Sequence, residues 1–131
     1  MKLETKDLLT GDEISSKEFL ELIDFSIKLK EENKTVKGKQ LLENKTLAML
    51  FEKPSTRTRV SFETGMKQLG GHTIILSLNE MQHSRGESVE DTAKTLSGYV
   101  DGIVARVYEH SFIEDLAKHA TVPVINGLSN S

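Results

Sequence analysis

Short apolar runs alternate with amphipathic segments along most of this chain, and the alternation restricts the folds that it can adopt. Four runs have the length of buried β-strands, namely Thr46–Phe51, His72–Leu78, Gly102–Val107 and Val122–Ile125. Segments with a helical spacing of apolar residues separate them, over Thr56–Leu69, over Ser88–Tyr99 and from Ser111 onwards. The pattern predicts an α/β fold: a four-stranded parallel sheet in β-α-β-α-β-α-β order, with helices on both faces.

An amphipathic helix is predicted ahead of this series, from about Ser15 to Lys30. Its apolar stripe consists of Phe19, Leu22, Ile23 and Ile27. The spacing of a capping box, a hydroxyl followed three residues later by an acid, occurs at three predicted helix starts: Ser15 with Glu18, Ser88 with Asp91, and Ser111 with Glu114. Pro123 cannot donate a hydrogen bond to a sheet, so we expect the last strand to lie at an edge.

Composition limits the chemistry that this chain can carry. Its 131 residues suit one domain, 1–131, with a single core. The absence of cysteine excludes disulfides, iron–sulfur clusters and thiolate zinc sites. The four histidines show no metal-binding spacing, and the glycines form neither a phosphate loop nor a dinucleotide fingerprint. We therefore expect no metal and no cofactor.

The charge balance also limits the partners. Seventeen basic and 20 acidic residues give a net charge of -3, which does not favour a nucleic-acid or membrane-surface partner. No run of apolar residues is long enough for a membrane span, and the first thirty residues do not follow the order of a secretory signal. On this basis we expect a cytoplasmic protein.

A cluster of hydroxyls and guanidiniums follows the first predicted strand. Ser55, Thr56, Arg57, Thr58 and Arg59 stand where that strand passes into a helix. The free amides and the dipole at a helix amino end favour an anion, and arginine can donate two parallel hydrogen bonds to phosphate. The sequence thus predicts a phosphate site, or alternatively a helix capped by Ser55 or Thr56 with the two arginines exposed.

Arg106 lies near the carboxyl end of the third predicted strand, in an otherwise apolar run. An unpaired charge is costly to bury, so its guanidinium should reach an anion at the strand end or a carboxylate such as Asp101 or Glu109. If the first and third strands are neighbours, Arg106 converges on the Ser55–Thr58 turn.

The polar segment 81–87, which includes Gln82, is either an arm that reaches a ligand or a plain surface loop.

Several motifs together resemble the aspartate/ornithine carbamoyltransferase family over nearly the whole chain. They are Phe51–Arg59, Ser61-Phe62-Glu63, Leu69-Gly70-Gly71, Arg85–Ser88, Asp91-Thr92-Ala93, Tyr99–Arg106 and Pro123–Leu128. The Ser-Thr-Arg-Thr-Arg motif is highly specific in this context. Gln82 and the Phe-Glu-Lys segment before the motif resemble the ornithine-type members, whereas aspartate-type members typically have serine and lysine in that loop.

The resemblance implies a carbamoyl-phosphate-binding domain that requires no metal or cofactor. In it, Ser55, Thr56, Arg57 and Thr58 hold the phosphate, and Arg106 contacts both the phosphate and the carbamoyl oxygen. Gln82 reaches the phosphate of an adjacent subunit in a homotrimer. Thr58 and Arg106 would polarise the carbonyl as the δ-amine of L-ornithine attacks, and Arg57 would accept charge growing on the departing phosphate.

The chain departs from the family at its end. It stops at Asn130-Ser131, before the His-Pro-x-Gln segment of relatives, and carries no second, ornithine-binding domain. We expect an excised or truncated amino-terminal domain with negligible activity alone. Other amine acceptors (aspartate, putrescine or an acylated ornithine), a non-catalytic phosphate-binding module, and a folding and trimerisation unit remain alternatives. We also expect Glu52 or Glu87 to pair with Arg57 or Arg59 when no ligand is bound.

Overall fold

A parallel β-sheet organises the protein in a computed structural model that describes residues 2–35, 40–78 and 88–129. The elements are α1 Ser16–Thr35, β1 Thr46–Phe51, α2 Thr56–Gln68, β2 His72–Ser77, α3 Val89–Ser97, β3 Gly102–Arg106, α4 His110–His119 and β4 Val124–Asn126. The described residues form a four-stranded sheet with helices packed on it, so the predicted fold class is confirmed.

The strand order is β2-β1-β3-β4, with every pair parallel. From β1 the chain crosses to β2 on one side and then to β3 on the other, so the strand order reverses between β1 and β3. Phe51 at the end of β1 is the register partner of Arg106 at the end of β3. Parallel sheets place ligand sites beyond the carboxyl ends of the strands at such a reversal. The expected site therefore lies between two neighbouring strand ends.

Successive residues of β1 contribute to opposite faces, as the period of two in a strand requires. Leu47 and Met49 pack with Phe62 and Met66 of α2. On the other face, Ala48 and Leu50 join a larger cluster with buried residues of α3 and α4, which include Ala93, Ile113 and Leu116. Because both faces of β1 are covered, an uninterrupted apolar run is the appropriate sequence for it.

The segment before α1 covers the β4 edge of the sheet. The Leu8 N–H donates to the Val124 carbonyl at 3.0 Å, and the Asn126 N–H donates to the Leu8 carbonyl at 2.8 Å. The Asp7 carboxylate accepts the Val124 N–H at 2.8 Å. The last strand was predicted at Val122–Ile125 but is Val124–Asn126, so Pro123 precedes it. The prediction that this strand lies at an edge is correct, and the segment before α1 supplies the partners that an open edge would lack.

Two of the three predicted capping boxes begin helices in the structure. The Ser15 hydroxyl accepts the Glu18 N–H at 3.1 Å, and the Glu18 carboxylate accepts the Ser15 N–H at 3.0 Å. The Ser88 hydroxyl accepts the Asp91 N–H at 3.0 Å. The Ser111–Glu114 box is wrong: α4 begins one residue earlier, and Glu109 occupies its N-cap position without a side-chain hydrogen bond.

Helix α1 extends beyond the predicted Lys30 to Thr35. Its apolar stripe is largely open to solvent, since Phe19, Ile23 and Ile27 are 52%, 43% and 57% exposed. Within the described residues, no helix has the length and apolar character needed to cross a membrane.

Candidate carbamoyl-phosphate site

The turn between β1 and α2 ends at Ser55, which occupies the N-cap position of α2 with φ -157° and ψ 92°. Its hydroxyl makes no capping hydrogen bond to the helix, so the sequence alternative of a side-chain cap at Ser55 is wrong. The first turn of α2 contains no acidic residue. The amino end of α2 therefore presents amides and a positive dipole end that the Ser55 side chain does not occupy.

Arg106 extends from the end of β3 to the first turn of α2. Its Nη1 donates to the Thr58 hydroxyl at 2.9 Å and to the Gly127 carbonyl at 3.4 Å. Its Nε atom is buried without a hydrogen-bond partner in the described part of the chain. Guanidinium groups have five donors, and a buried donor without a partner is costly. Arg106 thus retains donor capacity for a further acceptor at this position.

No carboxylate among the described residues forms an ion pair with Arg106 within 4 Å, so the salt-bridge alternative is not what the structure contains. Asp101 lies at the opposite end of β3, where it accepts the Thr46 N–H at 2.9 Å and lies 3.9 Å from Lys45. The hydroxyl of Thr58 is a neutral partner. It leaves the positive charge of Arg106 available to an anion.

Two cavities are lined by residues of the β1–α2 turn and of the first turn of α2. The larger, of about 690 Å³, has Arg57 and Thr58 in its wall together with residues of the N-terminal segment and α1, including Leu9 and Phe19. The smaller, of about 350 Å³, is lined by Ser55 and Thr56 among others. The structure thus brings Arg106 and Thr58 into contact. Of the four predicted phosphate-binding residues, Arg57 and Thr58 line the larger cavity, and Ser55 and Thr56 line the smaller one. Gln82 lies outside the described residues.

The expected pairing of Glu52 with an arginine of the turn is wrong. Arg59 instead pairs with Glu63 one helical turn further along α2, at 3.4 Å. The Glu52 carboxylate accepts the Tyr108 N–H at 2.7 Å. Spacing along α2 explains the first pair, because residues four apart lie on the same helix face. Glu87 lies outside the described residues.

Sequence reasoning missed three residues that lie near the candidate site, namely Gly127, Lys53 and Tyr108. The Gly127 carbonyl is a partner of Arg106, and a Cβ atom at Gly127 would lie 3.2 Å from the Ala105 carbonyl oxygen. The Lys53 ammonium lies 5.0 Å from the centroid of the Tyr108 ring. The Asn126-Gly127 pair after the last strand was a visible signal for a close turn, whereas nothing in the sequence indicated the contacts of Glu52 or Tyr108.

A metal centre is not evident in the part of the chain that the structure describes. There, no three His, Asp or Glu side chains lie close enough together to hold an ion.

Comparison with known proteins identifies the family. Residues 6–131 match the sequence profile of the aspartate/ornithine carbamoyltransferase, carbamoyl-P binding domain. The chain therefore belongs to this family, which confirms the resemblance inferred from its motifs.

Named relatives support the same family. The chain is 56% identical to the ornithine carbamoyltransferase of Cenarchaeum symbiosum over all 131 residues, which is 43% of that protein. It is 54% identical over 129 residues, 98% of its length, to the ornithine carbamoyltransferase of Bacillus thuringiensis subsp. konkukian, and covers 40% of that protein. The chain thus spans less than half the length of these relatives.

Solved structures agree with the described fold. The ornithine carbamoyltransferase from Pyrococcus furiosus superimposes with a TM-score of 0.92 at 52% identity, covering 98% of this chain and 41% of that one. The catalytic subunit of M. jannaschii aspartate transcarbamoylase has a TM-score of 0.86 at 40% identity, with 95% of this chain and 41% of that chain covered. Both ornithine and aspartate enzymes thus contain this fold.

Proposed function

We propose that this chain is the carbamoyl-phosphate-binding half of an ornithine carbamoyltransferase, and that residues 1–131 act as one domain. The observation that carries the proposal is the contact of Arg106 with Thr58 at the strand-order reversal, with the Nε of Arg106 left without a partner. A dianionic phosphate at this place would accept hydrogen bonds from a guanidinium and a helix amino end together.

In the proposed site, Ser55, Thr56, Arg57 and Thr58 bind the phosphate, and Arg106 binds both the phosphate and the carbamoyl oxygen. The amine nitrogen of ornithine forms a bond to the carbamoyl carbon, the bond from that carbon to the phosphate oxygen breaks, and the departing phosphate takes up the proton that the amine loses. Thr58 and Arg106 stabilise charge on the carbonyl oxygen, and Arg57 stabilises charge on the leaving phosphate. A single preorganised donor of this kind is worth roughly 10²–10³ in turnover.

Ornithine as the acceptor is supported by the names of the relatives with the highest identities quoted above. In the proposal, Gln82 reaches the phosphate bound to an adjacent chain of a homotrimer. The 131-residue chain alone is proposed to form no measurable citrulline, because it corresponds to about 40% of enzymes that perform the complete reaction. A colorimetric citrulline assay of the chain tests this part.

Calorimetric titration of the chain tests the binding proposal. We expect carbamoyl phosphate to bind more tightly than inorganic phosphate, because Arg106 also contacts the carbamoyl oxygen. Arg106→Gln should weaken carbamoyl phosphate binding by roughly tenfold or more, the value of a charge-assisted hydrogen bond.

Arg59→Gln is the charge-matched control, since it makes the same substitution at an arginine of α2 whose side chain pairs with Glu63 and not with Thr58 or Arg106. It should change the affinity far less. Near-equal affinities for the two ligands would instead indicate a phosphate-binding module without a carbamoyl subsite, and equal losses in the two variants would contradict a specific role for Arg106.

A further inference from the structure

Glu52 occupies the position at which β1 leaves the sheet, and it bonds twice to the segment that carries Arg106. Its N–H donates to the Arg106 carbonyl at 3.0 Å. Its Oε1 accepts the Tyr108 N–H at 2.7 Å. The main chain and the side chain of one residue thus hold the segment on either side of Val107, which is fully buried.

The need for such a connection follows from the topology. Beyond the register pair of Phe51 and Arg106, the two chains separate, one into α2 and the other towards α4. The Thr58 hydroxyl lies on the first path and the Arg106 guanidinium on the second, yet they must remain 2.9 Å apart. The Arg106–Thr58 hydrogen bond is a single link between the two paths, so further contacts beyond the last ladder pair would restrict how far the two halves of an anion site shift relative to each other.

A second contact lies beside the first. The Lys53 ammonium is 5.0 Å from the centroid of the Tyr108 ring, within the range of a cation–π interaction. Lys53 follows Glu52 directly, so consecutive residues of the β1–α2 turn contact the backbone and the ring of the same residue after β3. The two turns are therefore joined at more than one point.

We propose that Glu52 is a positioning residue, which clamps the β1–α2 turn to the segment after β3 and so holds Thr58 and Arg106 in register for one anion. The inference rests on the proposed carbamoyl-phosphate site. Glu52 acts through the Tyr108 N–H and does not itself bind the anion. Preorganisation of this kind raises affinity because less ordering remains to be done when the ligand binds.

Charge alone predicts the opposite effect of removing Glu52. A carboxylate near an anion site repels the ligand, so neutralising it would strengthen binding if charge were its only influence. A clamp predicts weaker binding when the acceptor is removed and little loss when it is kept. The two explanations thus differ in the sign of the change.

The experiment measures carbamoyl phosphate affinity by calorimetry in the 131-residue chain and in three variants. Glu52→Ala should bind roughly three- to tenfold more weakly, because the Tyr108 N–H loses its acceptor. Glu52→Gln keeps an oxygen acceptor and should stay within about twofold of the parent chain or bind slightly more tightly. Glu63→Ala, the matched control, removes a carboxylate from the exposed pair on α2 and should also stay within about twofold.

Hydrogen exchange of the Tyr108 amide provides a readout that does not depend on a ligand. It should be slow in the parent chain and in Glu52→Gln, and faster in Glu52→Ala. If Glu52→Ala does not fold, Glu52→Met, which keeps an unbranched side chain, replaces it.

Unchanged or tighter binding by the acceptor-free variant would overturn the inference, as would an equal loss in Glu52→Gln. If the parent chain binds no carbamoyl phosphate, the proposed function fails. The clamp is then judged by exchange alone, and unaltered exchange in Glu52→Ala overturns it.

Discussion

Arg106 shows how far a single residue can be understood from the chain alone. Its place in an apolar run indicated that the guanidinium must reach a polar partner. Which partner it reaches depends on the end of the strand at which that partner lies. Asp101 is near in sequence but lies at the other end of β3, roughly 16 Å away at a rise of about 3.3 Å per residue. Thr58, 48 residues distant along the chain, is the partner because β1 and β3 are neighbours.

Glu13 provides a prediction at the same scale. Its carboxylate accepts N–H groups from Leu9 at 3.1 Å, Thr10 at 3.2 Å and Gly11 at 2.9 Å. Burial raises the pKa of Glu13, but hydrogen bonds from its own N–H and those of Thr10, Gly11 and Leu9 outweigh burial and hold the pKa below its ordinary value. A carboxyl with a lowered folded-state pKa stabilises the fold above its unfolded pKa of about 4.5.

We expect Glu13→Gln to reduce the free energy of unfolding at neutral pH by about 1 kcal/mol or less, since the group is partly exposed to solvent. The difference in unfolding free energy should shrink as the pH falls below the unfolded-state pKa and through the lower folded-state pKa. At that pH the Glu13 carboxyl of the parent chain is protonated and therefore neutral, like the amide of the variant. Urea unfolding of both proteins at neutral and acidic pH measures it. A difference that is constant with pH would show that ionisation of Glu13 contributes nothing.

At the scale of the elements, local signals in the sequence succeeded where the hydrogen bonds that cap the start of a helix join residues close together in the chain. Ser15 and Ser88 accept amides three residues ahead, as their spacing predicts. At α4 the same spacing failed. The buried Val107 fixes where the chain leaves β3, the Phe112 N–H donates to the Glu109 carbonyl at 3.1 Å, and the helix therefore begins before Ser111 can cap it.

Two glycines of the α2 region predict opposite effects of the same substitution. Gly70, after the end of α2, has φ +89°, and a Cβ there would lie 2.7 Å from the Gln40 side chain. Gly65, inside α2, has nothing within 4 Å of its Cβ position. Gly70→Ala should destabilise the protein by about 1–2 kcal/mol, because alanine rarely adopts positive φ. Gly65→Ala should stabilise it by about 0.5–1 kcal/mol through helix propensity.

Thermal or denaturant unfolding of the two variants measures both effects on one helix. Equal effects of the same sign would contradict the conformational explanation, since the two substitutions add the same methyl group.

At the scale of the whole molecule, the proposal requires a neighbouring chain. If Gln82 binds the phosphate of an adjacent subunit, the chain should sediment as a trimer, and Gln82→Ala should weaken phosphate binding without changing the sedimentation coefficient. The expected loss is roughly tenfold, that of one hydrogen bond to a charged group. Analytical ultracentrifugation and calorimetry measure the two quantities. A monomer that binds phosphate normally would contradict the role assigned to Gln82.

Local pattern was sufficient for much of this protein. The alternation of apolar runs and helical segments predicted the order of strands and helices, which the structure confirms. The anion site at the end of β1 stays a prediction from the hydroxyls and arginines that follow this strand. These features depend on residues within a few positions of one another. The spacing at which side chains of a strand or helix share a face, and the start of a helix, are properties of the local backbone. The sequence therefore displays them directly.

Tertiary structure alone decided how these parts meet. The order β2-β1-β3-β4 places Arg106 against Thr58, the residues around Leu8 cover the β4 edge, and Glu52 bonds to Tyr108 instead of an arginine. Each of these contacts joins residues more than 40 positions apart. Which strands become neighbours depends on how the helices and strands together bury the apolar side chains of both sheet faces. That burial involves residues from the whole core, so no short stretch of sequence determines it.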